Sequence, residues 1–313
     1  MNNEKHVSLP LQLWCVDNTY SGSREDKHIS CTELLNPVQC FILSRKAEKT
    51  AQQDTDVLDY WKAQLGTAIH SGVASAWIDR YQVNLAKLGY SEDYISRIKI
   101  NPEEVLPKDI PVYIEQRVSK EILGWTVHGQ YDMVFDGQLI DFKSTSTFTY
   151  ENKTKDKDYI MQGSIYRWLA PEKITSENIA INFIFTDWKD QKAAAPSYPS
   201  APLLEYRLPL LSLSQIQTFV LDKITRINTA LESGVVPECT HDEMKWTPST
   251  YAYYSGTSTT GRATKVFDTY HEALRHKVDK GKGTVQERLG KPIQCKYCKG
   301  KSLCNQYKKL GLE

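Results

Sequence analysis

Residues 125–145 read WTVHGQYDMVFDGQLIDFKST and contain the clearest local fold signal in the chain. The dipeptide Asp136-Gly137 is typical of a type I′ hairpin turn, because both central residues of that turn need a positive φ. The flanking residues are rich in β-branched and aromatic side chains. We therefore predict two antiparallel strands over residues 125–135 and 138–145.

A two-residue turn also sets which residues face each other across the hairpin. Asp132 would lie opposite Asp141, and Lys143 would lie two residues further along the same face. The opposite face would be apolar, through Tyr131, Met133, Phe135, Ile140 and Phe142. Because two opposed carboxylates repel, the polar face predicts a divalent cation between them or, alternatively, a solvated ladder of acidic and basic side chains.

Apolar periodicity and turn residues predict the elements around the hairpin. We expect a long helix over residues 56–88, interrupted in its pattern by Gly66 and Gly72. The other predicted elements are a capped turn over 29–43, a strand over 112–118, a helix over 159–169, a strand over 179–186, a loop over 190–202 and a helix over 212–231. This order predicts an α/β (α+β) fold with a central mixed sheet flanked by helices. The predicted parts are an N-terminal segment over 1–55, a core over 56–232 and a C-terminal region over 233–313.

The composition of the 313 residues is that of an ordinary globular chain, with 40% hydrophobic and 25% charged residues and a net charge of +1. The charge is unevenly distributed. Residues 261–313 hold 13 Lys/Arg and 5 Asp/Glu, a net of +8, which leaves −7 for the rest. No apolar run is long enough for a membrane helix and the first ten residues lack a secretory signal, so we expect a cytoplasmic protein.

The residues of the hairpin and of two predicted helices resemble those of a known nuclease family. Asp132 followed by Asp141-Phe142-Lys143 resembles the core motif of the PD-(D/E)XK nuclease superfamily. Gly66-Thr67-Ala68-Ile69-His70 resembles the helix that precedes the hairpin in the RecB-type branch. Gln162 and Tyr166 resemble the Gln-x-x-x-Tyr helix that follows it.

Two further positions bear on this resemblance. Glu115, on the strand before the hairpin, matches a position at which several relatives carry an additional acidic residue. Tyr131 departs from the pattern, because the superfamily is named for a proline at that position. The resemblance covers residues 29–185 and implies a restriction-endonuclease-like core.

The resemblance implies metal-assisted hydrolysis of a phosphodiester. Asp132 and Asp141 would bind Mg²⁺ or Mn²⁺, joined by His70, Glu115 and the carbonyl of Phe142. An imidazole ligand favours Mn²⁺. His70 could alternatively be a histidine of the core, and Glu115 an ordinary surface residue.

Lys143 would position a water molecule and stabilise negative charge on the phosphate. Gln162 and Tyr166 are one helical turn apart and share a face. They would contact the DNA backbone or hold Lys143, or they could simply be a surface pair.

Seven cysteines without a secretion signal argue against a disulfide framework. Cys295, Cys298 and Cys304 form a Cys-x2-Cys-x5-Cys cluster that lacks a fourth ligand. The candidates are, in order, Cys239, Cys40 and Cys31. The spacing resembles iron–sulfur nucleases such as the AddB class and CRISPR adaptation nucleases, and the Pro-x-Cys-Thr stretch around Cys239 resembles phage-borne members. We predict a [4Fe–4S] cluster, with Zn²⁺ or free thiols as alternatives.

The C-terminal region mixes lysines and arginines with aromatic residues, a combination that suits single-stranded or frayed DNA. The aromatic residues are Trp246, Tyr251, Tyr253, Tyr254, Phe267, Tyr270 and Tyr297. A solvated basic appendage is the alternative. We predict a metal-dependent DNA exonuclease of phage or bacterial DNA recombination and processing. The alternatives are a non-catalytic DNA-binding module that retains the nuclease fold, and a structure-specific or sequence-specific endonuclease.

Overall fold

The computed structural model describes residues 2–17, 25–50 and 56–311. The chain forms two compact units, each assembled from two separate stretches of sequence. Unit 1 comprises Met1–Leu35 and Gln52–Arg226, and unit 2 comprises Asn36–Ala51 and Ile227–Glu313. None of the helices in the described part of the chain combines the length and apolar character that a membrane crossing needs.

A mixed β-sheet forms the centre of unit 1, with seven strands among the described residues. The strands are β1 (His28–Ser30), β2 (Ile98–Ile100), β3 (Ile110–Ile122), β4 (Trp125–Phe135), β5 (Gln138–Thr145), β6 (Asn178–Phe185) and β7 (Leu203–Pro209). Their order is β2-β3-β4-β5-β6-β7, with β1 paired in parallel to β4. β3, β4 and β5 are antiparallel, and β6 runs parallel to β5. The predicted mixed sheet is therefore confirmed.

Helices flank this sheet and also contribute to unit 2. They are α1 (Leu9–Val16), α2 (Cys31–Leu34), α3 (Val38–Thr50), α4 (Trp61–Ile78), α5 (Tyr81–Lys87), α6 (Glu92–Arg97), α7 (Thr147–Glu151), α8 (Asp156–Leu169), α9 (Leu213–Ser233), α10 (Tyr270–Lys280), α11 (Ile293–Lys296) and α12 (Asn305–Lys309). The prediction of one helix over 56–88 is wrong. The backbone leaves the helical region at Arg80, with φ −142°, and separates α4 from α5.

The hairpin has the predicted turn and register. Asp136 and Gly137 both have positive φ, +47° and +81°, as a type I′ turn requires. The paired residues are Met133 with Ile140, Val134 with Leu139, and Phe135 with Gln138. Local turn chemistry thus aligns β4 with β5.

The apolar face of the hairpin packs into a core of unit 1. Met133 is buried with residues of β2, β3, α5 and α6, and Val73 and Trp77 of α4 pack against the same cluster. Phe142 lies at its edge. This packing holds α4 against the sheet, and α4 carries His70.

Unit 2 contains a small antiparallel sheet that the sequence did not predict. Its strands are β8 (Thr250–Tyr254), β9 (Lys265–Phe267) and β10 (Thr284–Arg288), in the order β10-β8-β9. Helix α10 packs on this sheet, where the His276 ring lies 4.8 Å from Tyr253 and 5.1 Å from Phe267 between ring centroids. The short helices α11 and α12 follow and bring the C-terminal cysteines together.

The turn at Gly137 provides a test of the hairpin. A Cβ at this position would collide with the Thr175 hydroxyl, and its φ of +81° disfavours any L side chain. Gly137→Ala should therefore lower the unfolding free energy by about 1–2 kcal/mol. The measurement is the thermal or denaturant midpoint.

Gly72→Ala is the control for this substitution. Gly72 lies inside α4, and a Cβ there meets no described atom within 4 Å. Alanine should raise stability by roughly 0.5–1 kcal/mol. Equal effects of the two variants would contradict the turn assignment.

Candidate active site

Three carboxylates lie on three adjacent strands of unit 1, where regular pairing is interrupted. Between β3 and β4, pairing passes from Ile114–Met133 to Gln116–Tyr131 and omits Glu115 and Asp132. Glu115 has φ +50°, a left-handed backbone conformation that is costly for a non-glycine residue. The strained backbone therefore coincides with the acidic residues.

Pairing between β4 and β5 also stops at this level. The predicted opposition of Asp132 and Asp141 does not form, because regular pairing ends at Met133 and Ile140. Instead, the Phe142 N–H donates to Asp132 Oδ2 at 2.8 Å. The Asp132 carboxylate thus takes the place of a backbone acceptor and is fixed between the strands.

His70 of α4 faces the same carboxylates. Its Nδ1 lies 3.3 Å from Asp132 Oδ1 and 3.9 Å from Glu115 Oε1. His70, Glu115 and Asp132 each offer one ligand atom, and these three atoms lie within 4.8 Å of one another. The arrangement could hold a metal ion. The Phe142 carbonyl, a predicted ligand, is 3.0 Å from His70 Nε2.

Asp141 and Lys143 form a buried ion pair beside this group. Asp141 is only 4% exposed, and its Oδ2 lies 2.6 Å from Lys143 Nζ. The Lys143 ammonium also lies 6.0 Å from the centroid of the Tyr159 ring. Asp141 is therefore buried, whereas the side chains of His70, Glu115 and Lys143 remain 28%, 33% and 27% exposed and reach solvent.

Burial and mutual repulsion perturb the acidic groups. Burial raises the pKa of Asp141 to about 6, opposed by Lys143 and reinforced by Asp132. Burial, followed by the charge of Asp132, raises the pKa of Glu115. A hydrogen bond with Asp132 raises the pKa of His70. These shifts describe a site with too much negative charge for its burial, which a bound cation would relieve.

The side chains of Gln162 and Tyr166, on α8, hydrogen-bond to each other and to strand β4. The Gln162 side chain donates to Tyr166 Oη at 3.3 Å, and the buried Tyr166 hydroxyl donates to the Gln130 carbonyl at 2.8 Å. The Gln130 side chain in turn donates to Glu115 Oε2 at 2.7 Å. Tyr166 therefore supports the strand that positions Glu115.

Gln130 is a residue of the candidate active site that was not predicted from the sequence. It lies two residues before Asp132 and therefore on the same face of β4. The period of the strand was thus the signal that could have identified it.

The cysteine cluster lies entirely within unit 2. A single cavity is lined by Cys40, Cys239, Cys295, Cys298 and Cys304. Cys40 and Cys239, the two leading candidates for a fourth ligand, are therefore both present, and Cys40 Sγ lies 3.0 Å from Cys298 Sγ. The third candidate, Cys31, is elsewhere: it is buried in unit 1 near Gly129.

Helix α12 fixes two of these cysteines. Gln306 accepts from the Cys239 N–H at 2.9 Å and donates to the Cys239 carbonyl at 2.8 Å. The Tyr307 N–H donates to Cys304 Sγ at 3.4 Å. Burial raises the pKa of Cys239 to about 12, whereas the hydrogen bond between Cys298 and Cys40 lowers the pKa of Cys298. Cys298 is therefore the thiol most ready to bind a metal as thiolate.

Comparisons with known proteins give similarity at the level of overall structure only. No family model and no curated protein sequence matches the chain. The chain is similar to the crystal structure of SSO0001, with 17% identity, a TM-score of 0.43, and coverage of 72% of this chain and 90% of that one. It is also similar to a protein from Eubacterium rectale provisionally named an exonuclease, at 11% identity, TM-score 0.41 and 72% and 89% coverage.

A phage-related exonuclease from Haemophilus somnus 129PT is a further similar structure. It has 12% identity and a TM-score of 0.30, and the match covers 66% of this chain and 96% of that one. These likenesses are too loose to carry an argument about activity. The function is therefore inferred from the side chains described above.

The repulsion at Glu115 leads to a stability prediction. Because its pKa is raised in the fold, ionisation of Glu115 at neutral pH costs folding free energy. Without metal at pH 8, Glu115→Gln should stabilise the protein by about 0.2–1 kcal/mol, the range for like charges across a strand pair. The gain should shrink as the pH falls, because the wild-type carboxyl with its raised pKa takes up its proton at a higher pH than an ordinary glutamate. Thermal midpoints from pH 8 downwards provide the measurement.

Added Mn²⁺ should reverse the ranking, because a cation that binds only the folded state raises the wild-type midpoint. Glu121→Gln, at an exposed glutamate of the same strand, is the matched control and should show neither effect. A destabilised Glu115→Gln at pH 8 would show that the carboxylates do not repel in the folded protein.

Proposed function

We propose that this protein is a metal-dependent DNA exonuclease that hydrolyses phosphodiester bonds. One observation carries the proposal. His70, Glu115 and Asp132 converge beside the buried pair of Asp141 and Lys143, on adjacent strands of one sheet and a helix packed against it. An imidazole, carboxylates and an ammonium in one partly buried site are the groups that phosphodiester hydrolysis needs.

His70, Glu115 and Asp132 would hold the divalent cation, with Asp141 as a further carboxylate. The convergence of the three ligand atoms and the burial of the neighbouring Asp141 carboxylate support this fit, since buried negative charge gains from a nearby cation. Oxygen ligands suit Mg²⁺ and Mn²⁺, and the imidazole favours Mn²⁺. When bound, the cation would supply positive charge to stabilise the phosphate as it reacts.

Lys143 balances the charge of Asp141 in the metal-free protein. Burial lowers the pKa of Lys143, but the charges of Asp141 and Asp132 outweigh this effect, so the amine stays protonated. An ammonium with three donors can turn from Asp141 to a phosphate oxygen or to a water molecule. Gln130 and Tyr166 keep Glu115 in position during this exchange.

DNA with a single-stranded or free end is the proposed substrate. Of the seven aromatic residues suggested as stacking platforms, Tyr253 and Tyr254 are buried and cannot serve. Tyr297 is 71% exposed and lies between Lys296 and Lys299, and Tyr270 is also exposed. An exposed aromatic ring among cations suits a nucleic-acid strand.

A non-catalytic DNA-binding module and an endonuclease are the competing proposals. The complete set of Asp132, Asp141 and Lys143, held by an ion pair and a backbone hydrogen bond, favours catalysis. Circular single-stranded DNA separates the two nuclease proposals, because a strict exonuclease leaves circles intact.

We place the activity in phage or bacterial DNA recombination and processing, in a reducing cytoplasm where cysteines remain available to metals.

The cavity of unit 2 would hold a [4Fe–4S] cluster. Its five thiols suit iron–sulfur or zinc chemistry. The Cys-x2-Cys-x5-Cys spacing, which resembles that of iron–sulfur nucleases, favours the cluster, and a single Zn²⁺ is the alternative.

Substitutions in the hairpin test the nuclease proposal. Lys143→Ala should lower Mn²⁺-dependent degradation of end-labelled linear DNA by about 100-fold or more, because one donor to the reacting phosphate is lost. Asp132→Asn retains an acceptor for the Phe142 N–H but lacks the charge, and it should abolish activity.

Metal binding distinguishes the two variants. Lys143→Ala should keep the Mn²⁺-induced rise in thermal midpoint, whereas Asp132→Asn should lose it. Lys99→Ala, at an exposed strand lysine, is the control and should degrade DNA normally. Undiminished degradation by either hairpin variant, or none by the wild type with Mn²⁺ or Mg²⁺, would refute the proposed activity.

Cysteine substitutions test the second metal site. Protein purified without oxygen should be brown and contain iron, and Cys298→Ala should lose both properties. Cys15→Ala, at a buried cysteine of unit 1, should retain them. Comparing Cys40→Ala with Cys239→Ala identifies the fourth ligand. A colourless wild-type protein with one zinc per chain would contradict the iron–sulfur assignment.

A further inference from the structure

Phe148 is a large apolar side chain that the fold leaves 61% exposed, shortly after the strand that carries Asp141 and Lys143. We propose that Phe148 stacks against a base of a single-stranded DNA end and positions that end at the candidate active site. The inference rests on the proposed function and extends it to a residue outside the motifs described above.

The short helix α7 holds Phe148 in place while leaving its ring free of the core. The Thr147 N–H donates to Asp187 Oδ1 at 2.7 Å, and Thr147 is buried. The hydroxyls of Thr145 and Thr149 share a hydrogen bond of 2.9 Å. Both neighbours of Phe148 in the helix are thus tied down by polar contacts.

Tyr150 anchors the other side of α7. Its ring packs edge-on against Phe183, Phe185 and Tyr206, with centroid distances of 6.0, 5.9 and 5.5 Å. The helix is therefore fastened to strands β6 and β7 of the sheet. An exposed ring on a fastened helix loses little conformational entropy when a ligand stacks on it.

The chain places Phe148 close to the reacting groups. Lys143 to Thr145 are extended and Thr147 begins the helix, so Phe148 is only the fifth residue after Lys143. Five residues span at most about 18 Å even when fully extended, and the helical turn shortens this distance. A strand whose terminal phosphate lies at Lys143 would therefore present its next bases near α7.

The surroundings of Phe148 favour a nucleic acid over an apolar partner. The residues that follow it in sequence are largely polar, and their charges balance: Lys153, Lys155 and Lys157 are matched by Glu151, Asp156 and Asp158. A single exposed aromatic ring accepts any base by stacking. An apolar protein partner would require a wider apolar surface than one ring.

The test uses the full chain with EDTA and a single-stranded oligonucleotide that carries 2-aminopurine near one end. Stacking quenches the fluorescence of this base analogue, so the wild type should quench it. Phe148→Ala should quench little and bind roughly tenfold more weakly, within the range expected for loss of one stacked base. Phe148→Trp should restore both properties.

Phe148→Leu separates stacking from simple apolar contact. Leucine keeps bulk but has no π face, so it should behave like alanine. Wild-type quenching by Phe148→Ala or Phe148→Leu would overturn the proposal. Leu123→Ala, at a 52% exposed leucine in the turn between β3 and β4, is the control and should behave as wild type.

Kinetics distinguish failure of this proposal from failure of the proposed function. With Mn²⁺, Phe148→Ala should raise KM about tenfold on single-stranded ends while kcat and the thermal midpoint change little. A wild-type KM in this variant overturns the role of Phe148 and leaves the nuclease activity intact. If the wild type cleaves no DNA, the proposed function fails, and the quenching experiment alone decides the role of Phe148.

Discussion

Three carboxylates on adjacent strands repel one another, and unit 1 compensates this repulsion with side chains drawn from the helices on both sides of the hairpin. His70 approaches Asp132 from α4, and Lys143 neutralises Asp141 from within β5. Tyr166 of α8 supports the strand through the Gln130 carbonyl. The site is electrostatically strained without a cation, as sites that bind metals commonly are. The backbone holds the carboxylates close together against their mutual repulsion.

The sequence predicted the hairpin well because its signals are local. The Asp136-Gly137 turn sets the register, and β4 and β5 have the predicted bounds. The interruption at Asp132 was not predictable, since it depends on a side chain replacing a backbone acceptor and on the distortion at Glu115. Strand β7 was missed although its sequence carried a signal, because Leu204, Tyr206 and Leu208 alternate with Glu205 and Arg207. Its pairing with β6 is a tertiary effect.

The candidate metal groups show the same division between local and long-range information. The spacing in the sequence groups Cys295, Cys298 and Cys304, because they lie in one short segment. Cys40 precedes Cys298 by 258 residues, and only the fold shows that their sulfurs approach each other. Cys239 was favoured from its neighbouring sequence, and Gln306 provides a reason for its position that no local pattern contains. The sequence identifies cysteines as candidate ligands, whereas only the fold shows how many of them line one cavity.

The discontinuity of unit 2 affects how the protein is made. Cys40 emerges from the ribosome before the whole of Gln52–Arg226, and Cys295, Cys298 and Cys304 emerge after it. At synthesis rates of about 5–20 residues per second, this leaves a gap of roughly 10–50 s. The strands of unit 1 are synthesised within that interval, while Cys40 has none of its three C-terminal partners. The proposed metal centre of unit 2 would therefore assemble only after the chain of unit 1 has been made.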